Sequence, residues 1–310
     1  MQGIADQMDL PWPVYAMDSG GMKGSFEAGD SAASLRIEKE MKTKEKIPAS
    51  VNVLGLSTVH MKGREDAEEI RRLLSLCGIR VISMPGGGSN WEDIMDAPSA
   101  SLNIVVRDEL GLSLAKQMER DFGTPYMSSG LPYGTDGTMA WLSEIIEKLG
   151  AGELIRASHE AAKLKEFLLR KGNNLESLWG PLWFDAVLIS APPSEALGIA
   201  EAIRSEWIDT AHLCIHAQCE TEKSTPAADA IRVVMKNEKE IAKDYEDWQG
   251  GLVLSSSHET HLLRRMGRSF TGFHIALPSH DEVHFSDLPQ CGLRGAGYLY
   301  EQLWNAKLRK

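Results

Sequence analysis

Histidine and cysteine are the residues in this chain best able to bind a transition metal or move a proton, and they are unevenly placed. Five of the nine histidines (His258, His261, His274, His280 and His284) fall in one stretch, and Cys291 follows it. Imidazole and thiolate ligate zinc, iron and copper, so Cys291, His280 and His284 are candidate metal ligands. The same residues also fit satisfied or exposed side chains, because no HExxH pair occurs. A second grouping is Cys214-Ile215-His216, read as a strand, where residues two apart share a face; Cys219 follows three positions on. The four cysteines contain no CxxC, which excludes a zinc ribbon or a thioredoxin motif. They read as reduced thiols of a cytoplasmic protein.

Two glycine runs could bring backbone close to a ligand. Gly86-Gly87-Gly88 follows a strand and is either a flexible connection or the lining of a crevice. It fails the dinucleotide fingerprint, because Trp91 stands where the third glycine belongs, and no GxxxxGK[ST] occurs. Gly20-Gly21-Met22-Lys23-Gly24 reads as a turn or a close approach to a ligand or neighbouring chain. Ser255-Ser256-Ser257 ends a strand and opens a helix, where an anion could bind; it does not match GxSxG.

The elements that must position these residues alternate. A strand at Val51–Leu56 precedes an amphipathic helix over Arg64–Cys77, with Ala67, Ile70, Leu73 and Leu74 on one face. Further strands are expected at Ile79–Met84 and Leu102–Val106. Helices are expected over Leu110–Phe122, Thr135–Leu149 and Glu153–Arg170, the last closed by Gly172. A second set has strands at Phe184–Ser190, His212–Ala217, Leu252–Ser256 and Phe273–Leu277. Its helices start near Pro193, His258 and Gly295, and Glu238 to Asp247 reads as a solvated helix face. This alternation predicts α/β architecture: two doubly wound, Rossmann-like αβα domains with parallel sheets. The expected divisions are an N-terminal segment 1–48, a domain 49–175 and a domain 176–310 ending in a helix.

Composition narrows the function. The chain has 310 residues, 43% hydrophobic and 25% charged, which is globular. Its 33 basic against 44 acidic residues give a net charge of −11, which speaks against a nucleic-acid or anionic-membrane partner. No apolar run reaches a membrane span. Met1 to Leu10 holds two aspartates and no basic residue, which is not a signal-peptide pattern.

Several strings go further. Ser89 to Asn103, containing Asp96-Ala97-Pro98, resembles the nitrogenase component 1 family, and its β-type chains above all. Met118 to Tyr126 resembles that family's helix end and Gly-x-Pro turn. Ala191 to Leu197 is similar to its strand-to-helix turn, and Leu254 to Ser257 to its serine-rich turn. His274 to Pro278 with Gly292 to Ala296 resembles its closing segment, and Pro13 to Gly29 its glycine-rich one. The order matches from end to end, over the last two of the family's three αβα domains.

The resemblance implies an oxidoreductase subunit in a multi-subunit complex. It would work with a second component 1-type subunit or as a homo-oligomer, and take electrons from a separate ATP-hydrolysing iron–sulfur reductase. It implies an iron–sulfur or related metal cluster, shared with a partner because the family's first domain supplies the bridging-cluster cysteines; a tetrapyrrole is the other group the family handles. Aligned on these strings, the family's cluster-binding cysteine falls on Arg107 and its histidine on Cys291. The histidine of its glycine-rich segment falls on about Asp30 or Ser31. These departures count against reduction of dinitrogen by the chain itself. The resemblance thus adds Cys291 and Arg107 to the crevice-lining Gly86, Gly87 and Gly88 as candidate cofactor-binding residues, with Arg107 an electrostatic neighbour to an anionic cluster. The alternatives are an inert scaffold or assembly subunit of the same fold, and a small-molecule binding protein.

Overall fold

The computed structural model describes residues 26–218, 223–226, 231–235 and 237–309. The Gly20–Gly24 run and Cys219 lie outside them. After helix α1 (Phe26–Glu38) come β1 (Ile47–Leu54), α2 (Gly63–Leu76), β2 (Arg80–Ser83), α3 (Trp91–Asp96), β3 (Ala100–Val105), α4 (Asp108–Phe122) and β4 (Tyr126–Ser128). These strands form a parallel sheet of order β2-β1-β3-β4. Helices α5 (Thr135–Leu149) and α6 (Ile155–Trp179) lead to β5 (Trp183–Ala191), α7 (Pro193–Ala202), β6 (Asp209–Ala217), β7 (Lys223–Pro226) and β8 (Ile231–Met235). Then follow α8 (Glu238–Asp247), β9 (Leu252–Ser255), α9 (Ser257–Arg265), β10 (Thr271–His274) and α10 (Gly292–Leu308). The second sheet has the order β10-β9-β5-β6-β8-β7, parallel except for the antiparallel edge strand β7.

The expected two-sheet α/β class is therefore what the chain adopts. Local signals explain most boundaries. Asn90 accepts from the Asp93 amide and Asp93 answers, a reciprocal cap that starts α3. Gly123 and Gly150 end α4 and α5 in the left-handed conformation. Pro193 opens α7, where its missing N–H costs nothing.

One expectation changes. Gly172 does not end α6, which continues to Trp179 and stops at Gly180. A Cβ at Gly172 would lie 2.4 Å from the Tyr300 hydroxyl, so the glycine makes room for α10 inside a continuous helix. The β7–β8 edge pair has no clear signature in the sequence, because its strands are only 4 and 5 residues long. Glu38 at the end of α1 and Met41 just beyond it are buried where α1 packs on α4.

One core cluster runs through both sheets. It joins Val51, Ile70 and Leu102 to Phe184, Ile189 and Leu254. Helix α10 ties them, packing on α2, α5, α6 and β10. Its buried Leu293, Leu299, Leu303 and Trp304 contribute about 1.5–3 kcal/mol each before entropy is counted. No helix among the described residues is long and apolar enough to cross a membrane.

Candidate functional site

In open α/β sheets, ligands bind beyond the carboxyl ends of the strands, where the strand order reverses. In the first sheet that point lies between β1 and β3; in the second, β5 is flanked by β6 and β9. Arg107 follows β3, Gly55 and His60 follow β1, and Glu195 stands in the first turn of α7 after β5. These residues meet. Arg107 Nη2 and Nε donate to Glu195 Oε1 at 2.7 and 3.1 Å, and Nη1 donates to the Gly55 carbonyl at 3.2 Å. His60 Nδ1 lies 3.0 Å from the same Glu195 oxygen. Gly55 has φ +91°, and a Cβ there would stand 2.6 Å from the Arg107 carbonyl, so only glycine fits this close pass.

The electrostatics follow from burial and pairing. The Arg107 side chain has 0% exposure and Glu195 4%, while His60 keeps 10%, which places the imidazole on the solvent side. Burial pushes the Glu195 carboxyl up, but Arg107 and His60 outweigh it and hold it below the usual range. Burial likewise opposes the Arg107 charge, and Glu195 outweighs it. Beside them, Asp66 Oδ1 accepts the amides of Gln290 and Cys291 at 2.7 and 2.9 Å, anchoring the start of α10 to α2. Burial raises Asp66 to about 6 despite those amides and Arg107. Its Oδ2 and the Tyr133 hydroxyl are buried without hydrogen-bond partners among the described residues.

Arg107 is thus the one sequence candidate at the centre of this crevice. Sequence reasoning misses its partners, Glu195 and His60. Glu195 carries only a weak signal, its place two residues after Pro193 at a helix start. Cys291 lies close by but faces inward: it is wholly buried, and Sγ is 3.8 Å from the Asp66 carbonyl. Burial, followed by the charges of Asp66 and Glu69, pushes its thiol well up. Asp30 is half-buried near His60; burial raises its carboxyl and His60 opposes that.

The Gly86–Gly88 run ends β2 and backs onto the loop after β1. Thr58 N donates to the Gly86 carbonyl at 2.9 Å, and a Cβ at Gly86 would stand 2.2 Å from the Leu56 carbonyl. Gly88 alone of the three has open space beside it. His280 is exposed, whereas His284 joins His274 and Glu282 in a cluster whose ligand atoms lie within 4.8 Å of one another. Ser279 Oγ bridges it, 2.7 Å from His274 Nδ1 and 3.1 Å from His284 Nε2. Burial lowers the His284 imidazole. Neither His280 nor Cys291 belongs to this cluster. Lys62 reaches from the loop after β1 to the Ser286 carbonyl, holding the cluster's loop beside the crevice. At the Ser255–Ser257 turn the α9 N-terminus is closed by the chain's own carboxylate: Glu259 Oε2 accepts from Ser256 N and Oγ at 3.1 and 2.6 Å.

Known proteins share this sequence pattern and fold. The family described as nitrogenase component 1 type oxidoreductase matches over residues 1–308. The B subunit of the light-independent protochlorophyllide reductase of Chlorobium phaeobacteroides (strain BS1) is 25% identical over 295 residues, 87% of this chain and 53% of that protein. Its counterpart in Chloroherpeton thalassium (strain ATCC 35110 / GB-78) is 25% identical over 309 residues, 94% of this chain and 56% of that one. The chain therefore spans about half the length of the curated relatives it matches. A solved structure of nitrogenase Cp1 at pH 6.5 superposes with a TM-score of 0.67 at 17% identity, over 92% of this chain and 66% of that one, which shows a shared fold. The family match across nearly the whole sequence settles its membership: this chain belongs to the nitrogenase component 1 type oxidoreductase family.

Proposed function

We propose that this chain is an oxidoreductase subunit that receives electrons from a separate ATP-hydrolysing iron–sulfur reductase and works with a second component 1-type subunit. The observation that carries this reading is the Arg107–Glu195–His60 network. It buries two formal charges, with an imidazole at their solvent edge, where the carboxyl ends of both sheets meet. Substrate reduction takes up protons as well as electrons. Imidazole is the side-chain type that exchanges protons near neutral pH, and His60 is the member of the network nearest solvent. In this reading Arg107 and Glu195 orient His60 and lend the crevice a fixed dipole.

An iron–sulfur cluster needs convergent thiolates. The residues present do not fit a cluster held by this chain alone. Cys291 is closed in the core against Asp66, and none of the groups of three or more metal-ligating side chains among the described residues includes it. We therefore assign any cluster to the partner subunit, with Gly88 as the open position of the loop after β2; Arg107, wholly buried and paired with Glu195, would act on it only through the field of the crevice. The relatives' names make a tetrapyrrole such as protochlorophyllide the first substrate to try.

The test is anaerobic co-purification with a component 1-type partner subunit, followed by assay of iron, acid-labile sulfide and ATP-dependent reduction of protochlorophyllide with the reductase. Turnover that requires both ATP and reductase, and that falls in His60→Ala, is the expected result. A complex that forms but carries no iron and passes no electrons would overturn it. That outcome would favour the inert scaffold, which the internal pairing of Arg107 and Glu195 also suits.

A further inference from the structure

We propose that Cys214, His216 and Asp244 form a binding site for a zinc-type divalent transition metal on the α8 face of the second sheet, apart from the crevice. Cys214 and His216 are two apart on β6 and share a face; Asp244 comes from α8, which lies over it. Their donor atoms converge on one point. Cys214 Sγ is 3.4 Å from His216 Nε2 and 3.4 Å from Asp244 Oδ2, and the last two are 3.1 Å apart.

These separations suit a metal. Bonds of about 2.0–2.3 Å to nitrogen, oxygen and sulfur set tetrahedral donor atoms about 3.3–3.7 Å apart. A centre raised about 0.6–1 Å from the plane of these three atoms lies about 2.0–2.2 Å from each. Three protein ligands with a fourth position left over is the arrangement of catalytic rather than structural zinc. A thiolate with an imidazole excludes magnesium and calcium, which take oxygen ligands. As the Cys214–metal bond forms, the thiol proton leaves to solvent, and thiolate plus carboxylate neutralise the divalent charge.

The surroundings favour this over two other roles. A Cys-His-Asp nucleophile needs the carboxylate on the imidazole nitrogen away from the thiol. Here both groups face Nε2, and Nδ1 is buried without a hydrogen-bond partner among the described residues. A purely structural ion pair accounts for Arg232, whose Nε is 3.1 Å from Asp244 Oδ2, but not for the thiol and imidazole at the same oxygen. Arg232 also has Glu240 at 3.5 Å, which keeps it paired when Asp244 takes a metal. Tyr245 stacks edge-on against the His216 ring, centroids 5.3 Å apart, and fixes its orientation. Cys214, Asp244 and Arg232 line a cavity of about 570 Å³ with His212, Asp185 and Trp248, which gives an ion a path to two of the three donors.

The site stands independently of the electron-transfer reading. The experiment is anaerobic titration of the full chain with Co²⁺, read by the thiolate-to-cobalt charge-transfer band and tetrahedral visible bands, with Zn²⁺ as competitor. One Co²⁺ per chain, displaced by Zn²⁺, is expected. Cys214→Ser should abolish the charge-transfer band. Asp244→Asn should weaken Zn²⁺ binding about tenfold or more. Cys291→Ser should leave the band intact. If Cys214→Ser fails to fold, the Asp244→Asn affinity decides. A band that survives Cys214→Ser, an unchanged affinity in Asp244→Asn, a band lost in Cys291→Ser, or a wild-type chain that takes up no cobalt would each overturn the site.

Discussion

Glu195→Ala is the sharpest perturbation of the crevice. The substitution leaves the Arg107 guanidinium with no exposed surface and only the Gly55 carbonyl among its observed hydrogen-bond acceptors. Breaking a buried pair from one side costs about 3–5 kcal/mol, because the remaining charge is uncompensated. Arg107→Met should cost less, since His60 still faces Glu195 at 3.0 Å. Arg107→Met/Glu195→Ala removes both charges and should lie within about 2 kcal/mol of wild type. The coupling between the two sites then exceeds about 2 kcal/mol. Urea denaturation followed by tryptophan fluorescence measures all four proteins, with unchanged m values as the condition for comparing midpoints. At about 2 °C per kcal/mol for a chain of this size, Glu195→Ala should melt about 6–10 °C early. A loss below about 1 kcal/mol in Glu195→Ala, or a double variant as unstable as the sum of the singles, would refute the placement of an isolated ion pair in the crevice.

Three other outcomes follow from the same geometry. Asp66 is raised from 3.8 to about 6, so the native state holds its proton more tightly than the unfolded chain. That contribution is full below about pH 4 and is lost as pH rises through about 6, by about 3 kcal/mol. Asp66→Asn keeps the Oδ1 acceptor for Gln290 and Cys291, and should flatten the fall in stability between about pH 4 and 6 in urea midpoints. Cys291, buried with its thiol pushed up, should resist iodoacetamide at about pH 8 in the native protein and react only on unfolding, as peptide mass mapping would show. Glu206 accepts the amides of Thr135, Asp136 and Gly137 at 2.7, 2.7 and 3.2 Å, capping α5 from another part of the chain. Glu206→Ala should therefore cost about 1–2 kcal/mol in the same denaturation assay.

The class of fold, the positions of most elements and the resemblance to the family are all legible in the order of residues alone. These are local properties. Apolar periodicity marks α2 because Ala67, Ile70, Leu73 and Leu74 must share a face. Pro193 is read correctly as a helix start because caps act within a few residues. Cys214 and His216 fall on one face by strand period alone. Their third partner does not declare itself, because Asp244 arrives from a helix 28 residues beyond His216. Gly172 shows the same limit: alone it signals a helix end, and only the Tyr300 hydroxyl that fills the missing Cβ's place explains why the helix runs on. Arg107 and Glu195 are 88 residues apart, and nothing local in either marks a pair. The folding of two sheets onto one core buries both charges, and burial is what makes them choose each other.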